Sequence, residues 1–213
     1  MAEAGILDVL IGATPYLTGG FALNLAISLG AMALGTAVGT ALGGLRRGLT
    51  AWPAGGVTQV TRNVPSFVLL FFLAAVLPER IGIAEFAWPV GPVATAILAL
   101  AIPVAGFTSD AVRDLRTAPP GARPARWSAL TFAYVQYFVI ILMASATASV
   151  IGVEEIVARS NHLVTFEADV ARMLGVYAYT ALWFMVTGIT LLRLGRWAST
   201  AVGRRASAAA HSS

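Results

Sequence analysis

Runs of apolar residues, broken by short clusters of arginine, proline and glycine, set the pattern of this chain. Four runs carry no charged residue: Phe21 to Gly43, Val90 to Ser109, Ser128 to Val153 and Met173 to Leu192. Each matches the ~20 residues that a helix needs to cross the hydrocarbon core of a bilayer. Pro92 and Pro103 interrupt the second run. A fifth run, Val64 to Pro78, reaches spanning length only when extended back to Val57, and then holds Arg62 and Asn63 near its start. Those two belong at the interface, where an arginine head reaches water. The pattern predicts an all-α, polytopic membrane helix bundle of about five transmembrane helices. Before it, Ile6, Leu7, Leu10 and Ile11 recur at helical spacing beside Glu3 and Asp8. That spacing predicts an amphipathic segment lying on the membrane surface over residues 1–20. A secretory signal would need a basic start and a longer apolar core. The transmembrane domain then covers residues 21–197, and the small, polar, arginine-containing tail 198–213 is expected to be disordered.

Composition agrees with lipid as the solvent. Of the 213 residues 58% are hydrophobic and only 11% charged, with a mean hydropathy of +0.79. A soluble domain carries about 25% charged residues. With no cysteine, disulfides and thiolate metal sites are excluded. Every basic residue is arginine, and the arginines are unevenly placed. Arg46, Arg47 and Arg62, then Arg113, Arg116, Arg123 and Arg126, then Arg193, Arg196, Arg204 and Arg205 alternate onto one side of a five-span bundle, against Arg80, Arg159 and Arg172 on the other. By the positive-inside rule the rich side is cytoplasmic, with the N-terminus outside and the C-terminus inside. The basic balance is therefore a topology signal, and no nucleic-acid partner is expected.

Candidate chemistry is sparse. His162 and His211 have no neighbours at metal-ligand spacing, no phosphate-binding glycine loop is present, and no Ser/His pair falls inside a span. Neither an enzyme nor a metal or cofactor site is expected. Paired carboxylates occur as Glu154-Glu155 at a span boundary and as Asp110 with Asp114 on one helix face beside Arg113, where a solvated helix end is the default. In the first span Ala31, Gly35, Gly39 and Gly43 repeat every four residues, a helix-packing groove that favours close approach within the bundle over a subunit contact. Polar residues inside spans are costly in lipid and so mark candidate function. Asn24, Ser28, Tyr134, Gln136, Tyr137, Ser145, Thr147 and Ser149 are such residues. The hydroxyls bond readily to their own helix, whereas Gln136 does not. Gln136, Ser145, Asn24 and Asn63 are the candidates for lining a substrate path.

The stretch Thr61 to Phe72, TRNVPSFVLLFF, resembles the Arg-Gly-Thr-Pro or Arg-Asn-x-Pro opening of a core helix in the permease subunits of polar amino-acid ABC importers of the histidine/glutamine type. Arg62, Asn63 and Pro65 match that motif. In the same order, Gly19-Gly20 resembles the family's Gly-x-x-x-Thr entry, Asp110 and Arg113 its Glu-x-x-Arg, Pro120-Gly121 its Val-Pro-x-Gly turn, and Ala148 to Ile156, ASVIGVEEI, its Ser-Val-Ile-Gly-Val-x-Glu-Leu. The resemblance covers nearly the whole chain. It implies a type I ABC importer permease fold in a bacterial inner membrane and a substrate drawn from amino acids or related small polar solutes. It also implies cytoplasmic ATPase subunits that use ATP and a periplasmic or lipid-anchored substrate-binding protein.

The departure from the family lies in the cytoplasmic loop that docks on the ATPase. No Glu-Ala-Ala stands after Gly121; Arg123, Pro124, Arg126 and Trp127 lead straight into the next span, and Met143 to Thr147 replace the family's Lys-Asp-Thr-Ser-Leu. Such a loop predicts one short turn or an extended segment against the bilayer surface, with Trp127 anchoring at the interface and Arg116, Arg123 and Arg126 the residues left to face an ATPase. The resemblance therefore implies a heterodimer with a second, intact permease subunit. The alternative is an accessory membrane subunit that does not line the path.

Overall fold

A computed structural model describes residues 6–46, 56, 58–59, 64–77, 80–81, 88–165 and 169–211. Among these, six α-helices follow one another: α1 (Ile6–Leu45), α2 (Ser66–Val76), α3 (Pro92–Thr117), α4 (Arg123–Ser145), α5 (Ile156–Val164) and α6 (Val170–His211). A two-residue antiparallel pair, β1 (Arg80–Ile81) with β2 (Trp88–Pro89), precedes α3. Proline and glycine place several of the boundaries. Pro65 stands at the N-cap of α2, and Gly91 and Pro92 open α3. Ala118, forced out of helical geometry ahead of Pro119, closes α3 at φ −68° and ψ 131°. The connection to α4 is residues 118–122, which end in a 3-10 turn, Pro120–Ala122.

The architecture is a polytopic membrane helix bundle. Among the described residues four helices are long and apolar enough to cross a membrane: Ile6–Leu45, Pro92–Thr117, Arg123–Ile151 (α4 with a 3-10 extension) and Val170–Arg204. The fifth expected span is helical over Ser66–Val76, a shorter apolar helix. Arg62 and Asn63, in its expected N-terminal part, lie outside the described residues.

Two expectations at the ends are corrected. Residues 6–20 are not a separate surface segment but the first turns of α1, since Leu17, Gly20 and Phe21 are buried against the bundle. The tail is not disordered from Ala198 onward: α6 runs to His211, and Ser199 is buried at 9% exposure with its carbonyl oxygen accepting from Ser128 Oγ at 2.7 Å. A polar stretch read alone gives no reason to fold; here an apposed helix supplies one.

Packing rests on small residues, since lipid gives helices no hydrophobic reason to associate. The stripe Ala31, Gly35, Gly39 and Gly43 lies on α3, which runs parallel to α1. A Cβ on Gly43 would stand 2.8 Å from the Ser109 carbonyl oxygen, and one on Gly39 would collide with that of Ala105. A second seam joins α6 to α4, antiparallel: Gly188 faces Val139, Gly195 faces Val135 and Gly203 faces Ser128. Sequence inspection missed it, because its glycines are spaced by seven and eight residues and the last sits among arginines. The two helix pairs meet through an apolar core of Ile27, Ala31, Leu100, Val104, Ile141 and Val153, and through Phe21 set against Trp183 and Phe184 at ring distances of 5.4 and 5.3 Å.

Candidate functional site: a buried polar node and two clefts

Most intramembrane hydroxyls satisfy themselves locally. Thr14, Thr18, Ser28, Thr40 and Thr131 donate to carbonyls four residues back, as expected for such side chains in an apolar medium. Asn24 and Ser145 behave differently. Both are fully buried, and the Asn24 amide donates to Ser145 Oγ and to Glu155 Oε2, each at 2.9 Å. Its Oδ1 accepts the backbone N–H of Ile156 at 3.1 Å, while the Glu155 carboxylate accepts from the N–H groups of Val157 and Ala158 at 3.0 Å. Three of the donors that the start of α5 leaves without helical partners are thereby satisfied.

The approach to this node is shaped by Gly152. The 3-10 segment Ala146–Ile151 continues α4 and stops there, with Gly152 at φ 87°. Gly152 N–H donates to Ser149 O and Val153 N–H to Ala148 O, the paired bonds of a Schellman turn. The turned chain delivers Glu155 to the N-cap of α5. Beyond the node, Arg159 donates to the carbonyl oxygens of Tyr16 and Glu154 at 2.7 and 2.9 Å, and Ser160 and Thr180 share a hydrogen bond of 2.6 Å. α5 is thus tied to α1 and α6 as well as to the end of α4.

The expected path residues therefore part company. Asn24 and Ser145 are buried: Asn24 is engaged by Ser145, Glu155 and the Ile156 N–H, and Ser145 Oγ accepts from Asn24 and donates to the Leu142 carbonyl oxygen at 2.7 Å. Gln136 is exposed on α4, in a stripe with Ile140, Met143 and Thr147 that no other described element covers. Asn63 lies outside the described residues. Glu155, which looked like half of a boundary acidic pair, is the residue that sequence reading undervalued; its partner Asn24 is 131 positions away. The matching signal was a carboxylate at an N-cap position just after a glycine-terminated turn.

Opposite the node, the ends of α1 and α3, the start of α4 and the later part of α6 carry Arg46, Arg113, Arg116, Arg123, Arg126, Arg193, Arg196 and Arg204. Arg116 does not project as a free docking residue. It donates to the carbonyl oxygens of Gly43 and Gly44 at 3.0 and 3.3 Å and so caps α1. Asp110 is ion-paired with Arg46, which corrects its reading as a merely solvated group. Arg123 and Arg126 are exposed in the first turn of α4. At this end α4 stands away from α1 and α3, leaving two clefts. One, about 270 Å³, is lined by Phe107, Asp110, Asp114, Leu115, Arg126 and Leu130 among others. The other, about 420 Å³, lies between Thr36 and Thr40 of α1 and Trp127, Thr131 and Tyr134 of α4. Between them Phe107 stacks on Tyr137 at 4.2 Å, and Tyr134 donates to Thr108 at 2.9 Å.

No family model matches the chain, and no curated protein matches it in sequence. Solved structures do match in shape. One is the crystal structure of an amino acid ABC transporter with histidines, with a TM-score of 0.73 and 19% identity over 95% of this chain and 99% of that one. Another is the MetNI methionine ABC transporter in an inward-facing conformation, with a TM-score of 0.61 and 16% identity over 89% of this chain and 95% of that one. Over nearly its whole length, the chain has the fold of an ABC transporter permease.

Proposed function

We propose that the chain is the permease subunit of a binding-protein-dependent ABC importer for amino acids or related small polar solutes. The observation that carries the reading is end-to-end likeness: 95% of this chain aligns with 99% of a chain from an amino acid ABC transporter. The uncovered stripe of α4 supports it. A lone Gln136 on an apolar face is costly against lipid and useful against a partner or a polar solute. In this reading the arginine-rich end is cytoplasmic in a bacterial inner membrane, and separate ATPase subunits hydrolyse ATP. A binding protein delivers the solute on the opposite face. A second permease subunit completes the pathway and carries most of the coupling, because the α3–α4 connection here is only residues 118–122, ending in a 3-10 turn.

That same short turn favours a second reading, an accessory membrane subunit that stabilises a transporter without lining its path. Cys substitution separates the two, and the chain's lack of cysteine gives a clean background. If Gln136 lines the path, Gln136→Cys reacts with a water-borne thiol reagent in the assembled transporter and the label blocks uptake. Labelling without any loss of uptake favours the accessory reading. The substrate class is tested by uptake of labelled amino acids in cells with and without the chain and its neighbouring genes. Unchanged uptake across the panel removes the amino-acid assignment.

A further inference from the structure

We propose that the smaller cleft between α3 and α4 binds a zwitterionic α-amino acid with an apolar side chain. The charge balance is the first argument. Two carboxylates and one guanidinium line the cleft, but Asp110 is already paired with Arg46. Asp114 and Arg126 remain: both are exposed, and neither side chain makes a hydrogen bond or ion pair among the described residues. One unengaged carboxylate and one unengaged guanidinium facing a shared space match one ammonium and one carboxylate. The guanidinium favours a carboxylate over other acceptors, because its fork takes both oxygens at once.

The remaining walls supply the second argument. Phe107, Ala111, Leu115, Ala129, Leu130 and Ala133 form an apolar lining. An aliphatic or aromatic side chain gains there by leaving water, whereas a charged one would find no further partner. Size supplies the third. At about 270 Å³ the cleft falls just below the range of roughly 300–1,000 Å³ typical for drug-sized ligands, which suits a single amino acid. Phe107, stacked on Tyr137 at 4.2 Å, bounds the cleft on the side of the node. The choice of amino acids over other zwitterions rests on the transport reading; the charge and size arguments do not.

The test is equilibrium binding of tritiated L-leucine to the full chain in lipid nanodiscs. Saturable binding is expected, with displacement by L-phenylalanine and L-methionine. N-acetyl-L-leucine, which lacks the ammonium, and L-leucinamide, which lacks the carboxylate, should not compete. Asp114→Asn and Arg126→Gln should each weaken binding at least tenfold. Arg123→Gln, outside the cleft lining, should leave it unchanged, and thermal melts should show all three variants folded. Absence of saturable binding overturns the proposal, as does binding indifferent to both cleft substitutions or weakened equally by the Arg123 control. Uptake in cells is scored separately. A chain that supports uptake but binds no leucine loses the cleft and keeps the transport reading; binding without uptake does the reverse.

Discussion

Glu155 shows how a single residue can organise a membrane fold. It has no solvent exposure, yet its two carboxylate oxygens meet donors from α1 and from the first turn of α5. Replacing it with alanine strands the Asn24 amide and two backbone N–H groups in a water-poor site. Each unsatisfied buried group costs about 1–3 kcal/mol, so Glu155→Ala should lower the unfolding midpoint sharply in a detergent melt. Glu155→Gln keeps one acceptor oxygen and should lose less. Equal losses for the two variants would mean that side-chain volume, and not hydrogen bonding, sets the role of this position. The sequence made Asn24 and Ser145 conspicuous as polar residues in apolar runs, but it could not say that they face each other. Distance along the chain hides a three-residue network, and a Glu-Glu pair at a span boundary looks solvated until α1 is laid across it.

At the scale of elements, the parallel α1–α3 seam was legible and the antiparallel α4–α6 seam was not. Ala31, Gly35, Gly39 and Gly43 fall at a constant four-residue interval inside one uncharged run, which is a strong pattern. Gly195 and Gly203 lie beyond the end of the apolar run at Leu192, among arginines. Gly39→Leu should displace α1 from α3, since overpacking commonly costs about 1–3 kcal/mol and here the neighbour is backbone. Gly12→Leu, with no atom near its would-be Cβ, is the matched control. Similar melting of both variants would remove the seam as the cause. The α3–α4 connection was legible because Pro119, Pro120 and Pro124 leave little room for a docking helix. If the partner permease carries the coupling, a cysteine at Arg123 should crosslink to an ATPase groove much less than the equivalent position in the partner. Equal efficiency from both subunits would end that asymmetry.

For the whole molecule, fold class followed from the apolar runs, and orientation is the remaining inference from the arginines. The structure gathers Arg46, Arg116, Arg126 and Arg196 at one end of the bundle, which the run pattern alone implied. A reporter active only outside the cytoplasm should be active when fused after Ser160 and silent after Arg123. The reverse result would invert the molecule and, with it, the importer assignment. The ends of the chain were the least legible part at this scale. Helix contact, and not local composition, decides that residues 6–20 and the stretch after Ala198 belong to the bundle.

The node and the clefts sit at opposite ends of α4, and that separation has a mechanical consequence. The helix is pinned at Ser145 and parted from α1 and α3 near Arg123. From Ser145 back to Arg123 it measures about 33 Å at 1.5 Å rise per residue, so a swing of about 5° about the pin, made together with α6 to which Ser128 ties it, carries the far end by about 3 Å. Displacement is magnified towards the clefts and vanishes at the node. A push delivered at Pro120–Ala122 has long leverage over the two gaps and almost none over the hydrogen bonds of Glu155.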